Sequence, residues 1–245
     1  MSATNLIEEA KKKAAHAAID AHVKSGMALG IGSGSTIVYA VERLAARVRS
    51  EGLAVVCVPT SFQSRELIVA HGLPLSDLER TPSLDVAFDG ADECDDALNL
   101  IKGGGGCLLQ EKLVASCAKQ LVIVADYRKN ARQLGTVWRQ GVPIEVLPLA
   151  RQPVLLRLKS REFSLVSAVT RTGTGKAGPL LTDNGNFIID ADFGPIADPQ
   201  ALDRALAGIV GVIDTGLFCN MTTKIYFGAA DGTVFTKENE PSSLD

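Results

Sequence analysis

Apolar positions recur at helical spacing from Asn5 to Val23, where Leu6, Ala10, Ala14, Ala17, Ala18 and Val23 mark the buried side of an amphipathic helix. A short apolar run, Met27 to Ile31, predicts a strand that runs into Gly30-Ile31-Gly32-Ser33-Gly34-Ser35-Thr36. Ile37, Val41, Leu44 and Val48 then fall on one face of a second helix. Ala54 to Val58 predicts the next strand, stopped by Pro59-Thr60-Ser61, with Ser61 able to cap a helix from Phe62 to Ala70. Leu84 to Phe88 predicts a strand leading into Asp89, Leu108 to Ala118 a helix, and Leu121 to Ala125 a strand that is apolar throughout. Strands that alternate with helices and carry no polar face are buried on both sides. The predicted fold class is therefore α/β, a doubly wound, mostly parallel, Rossmann-like sheet.

The pattern changes near Gly135. Ile144 to Leu147 and Ser164 to Thr170 predict strands, with a helix around Pro153 to Lys159 between them. Leu180 to Asp190 surrounds Asp183-Asn184-Gly185-Asn186, a hairpin signal. A helix follows Asp198-Pro199, and Val212 to Phe218 predicts a further strand. The order β-α-β-β-α-β describes a split βαβ, ferredoxin-like unit. Two domains are expected: residues 1–134 plus 221–245, Rossmann-like and catalytic, and residues 135–220, a small α+β domain. Arg171 to Lys176 reads as a mobile loop and Asn239 to Asp245 as a disordered tail.

Composition narrows the function classes. The 245 residues carry a net charge of -3, which offers no basic footprint for nucleic acid or an acidic membrane. No window approaches a membrane span, and Met1 to Lys13 is too polar for a secretory signal. The five cysteines are scattered, with no Cys-x-x-Cys pair, which argues against disulfides and structural zinc and fits a reducing cytoplasm. His16, His22 and His71 form no cluster with acids or cysteines, so no metal is expected.

The chemistry concentrates between Asp89 and Lys112. Asp89-Gly90-Ala91-Asp92-Glu93 closes a strand, Lys102 opens the run Gly103-Gly104-Gly105-Gly106, and Glu111 follows inside a helix. Four glycines build no core; they let backbone N–H groups approach a ligand, and the adjacent lysine points to an anion. Asp89 and Asp92 alone fit turn residues, and Glu111 a solvated helix charge; with the glycine run they fit acid–base chemistry. A buried Glu111 would be able to take and return a proton. Strand, glycine–serine turn and helix at Gly32 to Thr36 would present the positive helix end to a phosphate. This turn is neither the full dinucleotide fingerprint, since Ser35 stands where the third glycine is required, nor a Walker loop, since no lysine follows. Lys11, Lys12 and Lys13 read as a solvated face or as a phosphate contact.

These segments closely resemble the type A ribose-5-phosphate isomerases, particularly their eukaryotic members. The resemblance rests on Asp89 to Glu93, Lys102 to Gly106 with Glu111-Lys112, and Gly32 to Thr36. It continues through Ile123 to Asp126 with Lys129, Ile144 to Pro148, Thr182 to Asn186 and Gly216 to Phe218, covering nearly the whole chain in order. It implies interconversion of D-ribose 5-phosphate and D-ribulose 5-phosphate through an enediolate, without metal or organic cofactor. By the same resemblance Glu111 is the base, Asp89 helps open the furanose ring and handles hydroxyl protons, Asp92 is a further catalytic and substrate-binding carboxylate, and Lys102 with the glycine amides holds the oxyanion. Ser33, Gly34, Ser35, Thr36, Gly90, Ala91, Gly103, Gly104, Gly105, Lys129 and Lys12 would bind substrate. A cytoplasmic homodimer, or a tetramer, is implied, with a small-molecule sugar phosphate as partner. The alternatives are a sugar-phosphate isomerase-deaminase and a non-catalytic sugar-phosphate sensor. The loop from Arg171 to Gly178 is longer than the family's pattern.

Overall fold

The computed structural model describes residues 3–175 and 177–238; the expected disordered tail lies outside them, as does Lys176 of the expected mobile loop. In chain order the elements begin with α1 (Ala3–His22), β1 (Met27–Ile31), α2 (Ser35–Glu51), β2 (Val55–Pro59), α3 (Phe62–Ala70) and β3 (Val86–Asp89). There follow β4 (Glu93–Cys94), β5 (Leu100–Ile101), α4 (Leu108–Ser116), β6 (Leu121–Asp126) and β7 (Val142–Val146). The remainder are α5 (Arg151–Leu158), β8 (Ser167–Thr170), β9 (Phe187–Asp192), α6 (Pro199–Ala207), β10 (Val212–Thr215), β11 (Leu217–Phe218), β12 (Thr222–Gly228) and β13 (Val234–Glu238).

The chain forms two compact units: residues 1–91, 110–130 and 221–245, and residues 92–109 and 131–220. The first unit is built on a six-stranded sheet in the order β13-β12-β6-β3-β1-β2. All neighbours are parallel except the β12–β13 hairpin at the edge. Leu29, Ile31, Phe88, Val122 and Val124 face one side and join α1, α2 and α3 through Ala14, Ile19, Ile37, Leu44 and Ile68 in one core. The alternate position Gly30 faces the other side, where a Cβ would come within 2.7 Å of Val114 on α4. Helices thus cover both faces, and the expected doubly wound sheet is present. From β1 the chain moves outward to β2 and then returns to the opposite side at β3. This reversal puts a topological switch point at the carboxyl ends of β1 and β3, where such sheets bind ligands.

In the second unit β7, α5, β8, β9, α6 and β10 form an antiparallel sheet ordered β10-β7-β9-β8, the split βαβ arrangement expected. A small sheet, β11-β5-β4, belongs to the same unit, because Ile101 and Leu217 share a core with Val142, Ile144, Leu158, Ile189 and Leu206. The boundary therefore differs from the one expected at residue 134: residues 92–109 pack with the second unit, and the later crossing falls after Asn130. Sequence order misleads here because a two-residue strand such as β5 has no periodicity of its own.

Two local expectations change. Val212 to Phe218 is not one strand but β10 and β11 in different sheets. The break is Gly216, where a Cβ would meet the Lys102 carbonyl at 2.2 Å. The residues before Asp183 do not pair with β9 as a hairpin arm, since β9 lies between β7 and β8. Instead the turn is held from below: Glu145, fully buried on β7, accepts from Thr182 Oγ1, Asn184 Nδ2 and Asn186 Nδ2 at 2.8, 3.1 and 2.9 Å.

Candidate active site

In the first unit the expected residues gather at the switch point. Asp89, the last residue of β3, is 2 % exposed. Its Oδ1 accepts from the backbone N–H groups of Ser33 and Gly90, at 3.2 and 2.7 Å. Gly32 makes this approach feasible, since a Cβ there would sit 2.1 Å from Asp89 Oδ1. The Ser33 hydroxyl is held by Thr60 Oγ1 at 3.0 Å and by Ser61 Oγ at 2.6 Å, and the Gly34 N–H donates to Gln63 Oε1 at 2.8 Å. Thr60 and Gln63 were not singled out from sequence; their place after β2, at the same end of the sheet, was the available signal.

Ser35 opens α2, and Gly34 before it supplies no side-chain cap to the first amides of this 17-residue helix. Its positive end is therefore available to an anion. The lysine that reaches it is Lys11, not the expected Lys12. Lys11 Nζ lies 3.1 Å from Ser35 Oγ, while Lys12, one residue and about 100° further round α1, is exposed. Glu8 steadies Lys11: it accepts from Lys11 Nζ and from Tyr39 Oη, both at 2.8 Å. Those two hydrogen bonds hold the Glu8 carboxyl below the usual range, and the Glu8 bond pushes the Tyr39 phenol up to about 12. Lys129 ends a single 3-10 turn after β6. Asp126 caps that turn. Burial pushes its carboxyl up, but the Arg128 guanidinium, bonded at 2.6 and 3.0 Å, outweighs burial and holds it low.

Glu111 is 5 % exposed in the first turn of α4, one turn before the Val114 that covers Gly30. It is not the solvated helix charge of the bland reading.

In the second unit Glu93 is structural. Fully buried, it accepts from the N–H groups of Gly135, Thr136 and Val137 at 2.8, 3.0 and 2.7 Å. Lys102 follows β5, is 3 % exposed, and sets its ammonium 5.4 Å from the Phe218 ring centroid. Burying an ammonium is costly unless a negative group compensates it. The glycine run begins with Gly103 at φ +99°, a backbone region that favours glycine. Its four amides are not equivalent, as the sequence alone would allow. Gly104 N–H donates to Asp92 Oδ2 at 2.7 Å, and Gly106 N–H to the Gly103 carbonyl at 2.9 Å. Among the described residues the N–H groups of Gly103 and Gly105 have no such partner, and Gly105 is exposed. Arg171, placed in a mobile loop by sequence, is instead an anchored side chain bonded to Asp190 and to the glycine run.

Among the described residues no group of three or more His, Cys, Asp or Glu side chains is placed to hold a metal ion. Among these residues no helix is long and apolar enough to cross a membrane.

The first unit sets a phosphate-type turn at the switch point of a parallel sheet and buries a glutamate on α4, and the second carries a lysine–glycine loop; each is a feature suited to an enzyme that acts on a sugar phosphate. The family model described as ribose 5-phosphate isomerase A (phosphoriboisomerase A) matches residues 56–232. The ribose-5-phosphate isomerase of Sus scrofa is 53 % identical over 231 residues, 94 % of this chain and 75 % of the relative. That of Dictyostelium discoideum is 54 % identical over 233 residues, 94 % of this chain and 98 % of the relative. A solved D-ribose-5-phosphate isomerase in complex with phospho-erythronic acid superposes with a TM-score of 0.90 at 38 % identity, covering 98 % of this chain and 100 % of that one. The chain belongs to the ribose 5-phosphate isomerase A family.

Proposed function

We propose that this chain interconverts D-ribose 5-phosphate and D-ribulose 5-phosphate by proton transfer through an enediolate, with Glu111 as the base. The burial of Glu111 in the helix turn that directly follows the glycine run carries the reading. Starting from the open-chain aldose, Glu111 takes the C2 proton, and negative charge collects on O1. Lys102 and the N–H groups of Gly103 and Gly105 stabilise that oxygen, and Glu111 returns the proton to C1. As the ketone forms, the proton of the C2 hydroxyl passes to O1, which becomes the C1 hydroxyl of the ketose; Asp89 and Asp92 serve that transfer and the prior opening of the furanose ring. Ser33, Gly34, Ser35 and Thr36, with Gly90, Ala91 and Lys129, bind the sugar phosphate. Lys11, in place of Lys12, neutralises the phosphate at the start of α2.

Substituting Glu111→Gln removes the base while keeping its shape. Turnover should fall about 10²-fold or more with KM nearly unchanged. Near-normal turnover would show the base to be misassigned. Family membership favours this reading over the isomerase-deaminase and sensor alternatives, and ammonia release from glucosamine 6-phosphate would reverse that preference.

Two coarser features accompany the reading. Five free cysteines suit a cytoplasmic enzyme, which fractionation of cells would check. Leu149, Leu156, Val166, Val169, Val210 and Ile213 are exposed in the second unit. Such apolar side chains suit contact with a second copy in a homodimer, and sedimentation as a monomer would contradict it.

A further inference from the structure

Arg171 is tied to two places at once. Its Nε and Nη2 donate to the two carboxylate oxygens of Asp190, at 2.8 and 2.5 Å. Its Nη1 donates to the carbonyls of Gly103 and Gly104, at 2.8 and 3.0 Å. The Arg171 and Asp190 side chains are 12 % and 10 % exposed. The arginine backbone is pinned as well, donating to the Ile188 carbonyl at 2.8 Å and accepting from the Leu180 N–H at 2.9 Å. Asp190 is fixed in β9 between β7 and β8. A guanidinium is a planar fork of donors that can hold a carboxylate and two carbonyls at once; what it does here is orient peptides.

A trans peptide points its C=O and N–H in opposite directions, and no cis bond occurs among the described residues. With the Gly103 carbonyl drawn to Arg171, the Gly104 N–H must face away, and there it meets Asp92. With the Gly104 carbonyl drawn to the same guanidinium, the Gly105 N–H must face that same far side. The Gly105 amide is one of the two in the run without a partner among the described residues. Peptides flanked by glycine reorient at little steric cost. A flip here would turn a carbonyl oxygen, and its negative end, to the side now held by the amide.

We propose that Arg171, fixed by Asp190, is a positioning residue that aims the Gly105 amide at the developing oxyanion, on the side of the loop where Asp92 lies. This rests on the reading of the glycine run as the oxyanion site.

Two variants test it. Arg171→Lys keeps a cation for Asp190 but cannot span the carboxylate and two carbonyls together. The double variant Arg171→Met/Asp190→Leu removes both charges and leaves no buried ion unpaired. In each, kcat should fall about 30- to 100-fold, while KM for ribose 5-phosphate changes by less than about 3-fold. Affinity for phospho-erythronic acid, a carboxylate analogue, should fall about tenfold. A kcat within about 3-fold of the unsubstituted enzyme in either cooperatively folding variant overturns the proposal. Loss of cooperative unfolding in both variants also overturns it, because the pair would then serve the fold. Glu111→Gln and Lys102→Met, measured alongside, separate the two ideas. If they leave turnover intact, the oxyanion reading itself fails; if they abolish it while the Arg171 variants turn over normally, only the clamp fails.

Discussion

Alanine at Gly104 would perturb one contact and leave the rest of the loop in place. A Cβ there would lie 2.7 Å from Asp92 Oδ1, 2.9 Å from Oδ2 and 3.0 Å from Cγ. Ordinary van der Waals contact starts at 3.4 Å, so the carboxylate must retreat by about 0.7 Å. The Gly104 N–H···Asp92 bond, now 2.7 Å, would then stretch toward about 3.4 Å, beyond the normal range. A hydrogen bond to a charged group contributes about 1.5–3 kcal/mol, and a catalytic group displaced by about 1 Å costs on the order of 10²-fold in rate. Because the Gly104 backbone lies outside the left-handed region, alanine adds no conformational strain. Gly104→Ala should therefore lower kcat/KM about 30- to 100-fold, with a thermal midpoint lowered by about 3–12 °C. Gly103→Ala should do the reverse and lose stability first, since that residue sits at φ +99° with Leu108 Cδ2 2.9 Å from the added methyl. The decisive assay is a double-mutant cycle of initial rates with Asp92→Ala. If the methyl acts only by displacing Asp92, adding Gly104→Ala to Asp92→Ala costs less than about 3-fold more. Independent, multiplying losses would refute the mechanism.

Two further outcomes follow from the first unit. Lys11→Met should raise KM for ribose 5-phosphate about tenfold or more, the effect of removing one charge-assisted phosphate contact, while Lys12→Met stays within about 2-fold; equal effects would undo the assignment made from the Lys11–Ser35 contact. Burial holds the His22 imidazole below its ordinary 6.5, between Gln120 Oε1 and Tyr226 Oη, so the unfolded chain takes up the proton first. The native contribution is complete above about pH 6.5 and is lost as pH falls through the lower folded value. The unfolding free energy should decline from about pH 7 to about pH 5 and decline less in His22→Gln, His16 supplying a share of the same sign. An unchanged slope in the variant would place the effect elsewhere.

The doubly wound sheet was legible because β1, β2 and β6 are continuous apolar runs bounded by turn residues, and helical spacing follows β1 and β2. Such elements announce themselves over five or more residues. What the sequence hid depended on pairs far apart in the chain. Residues 92–109 belong to the second unit because Ile101 packs with Val142 and Leu217, and no local pattern encodes that. Lys11 and Lys12 are indistinguishable in a run of three lysines until α2 fixes which one turns toward Ser35. Arg171 read as loop because Arg171-Thr172-Gly173-Thr174-Gly175 has a flexible composition, yet its guanidinium is fixed by Asp190, which lies on β9. Thr60 and Gln63 were passed over as a strand stop and a helix residue, although their position after β2 already put them at the ligand-binding end of the sheet.

The glycine run shows how a flexible segment becomes a rigid one. Gly103 to Gly106 have no side chains with which to hold themselves, and each loses more backbone freedom on folding than any other residue would. Rigidity therefore has to come from outside the run, and at the Gly103–Gly104 peptide it comes from both sides. Arg171 takes the carbonyls of Gly103 and Gly104, Asp92 takes the N–H of Gly104, and the Lys102 N–H before the run donates to Gly216 at 2.8 Å. Opposed restraints on one peptide fix its plane, which a single hydrogen bond does not. The next peptide is held through its carbonyl alone, beside that fixed plane; an amide restrained in advance needs less reorganisation when charge appears near it, the condition under which backbone dipoles stabilise an oxyanion effectively. The same restraints explain why the amides divide into two kinds. Those of Gly104 and Gly106 are consumed in building the loop, and those of Gly103 and Gly105 have no such partner among the described residues, so four glycines leave two donors uncommitted.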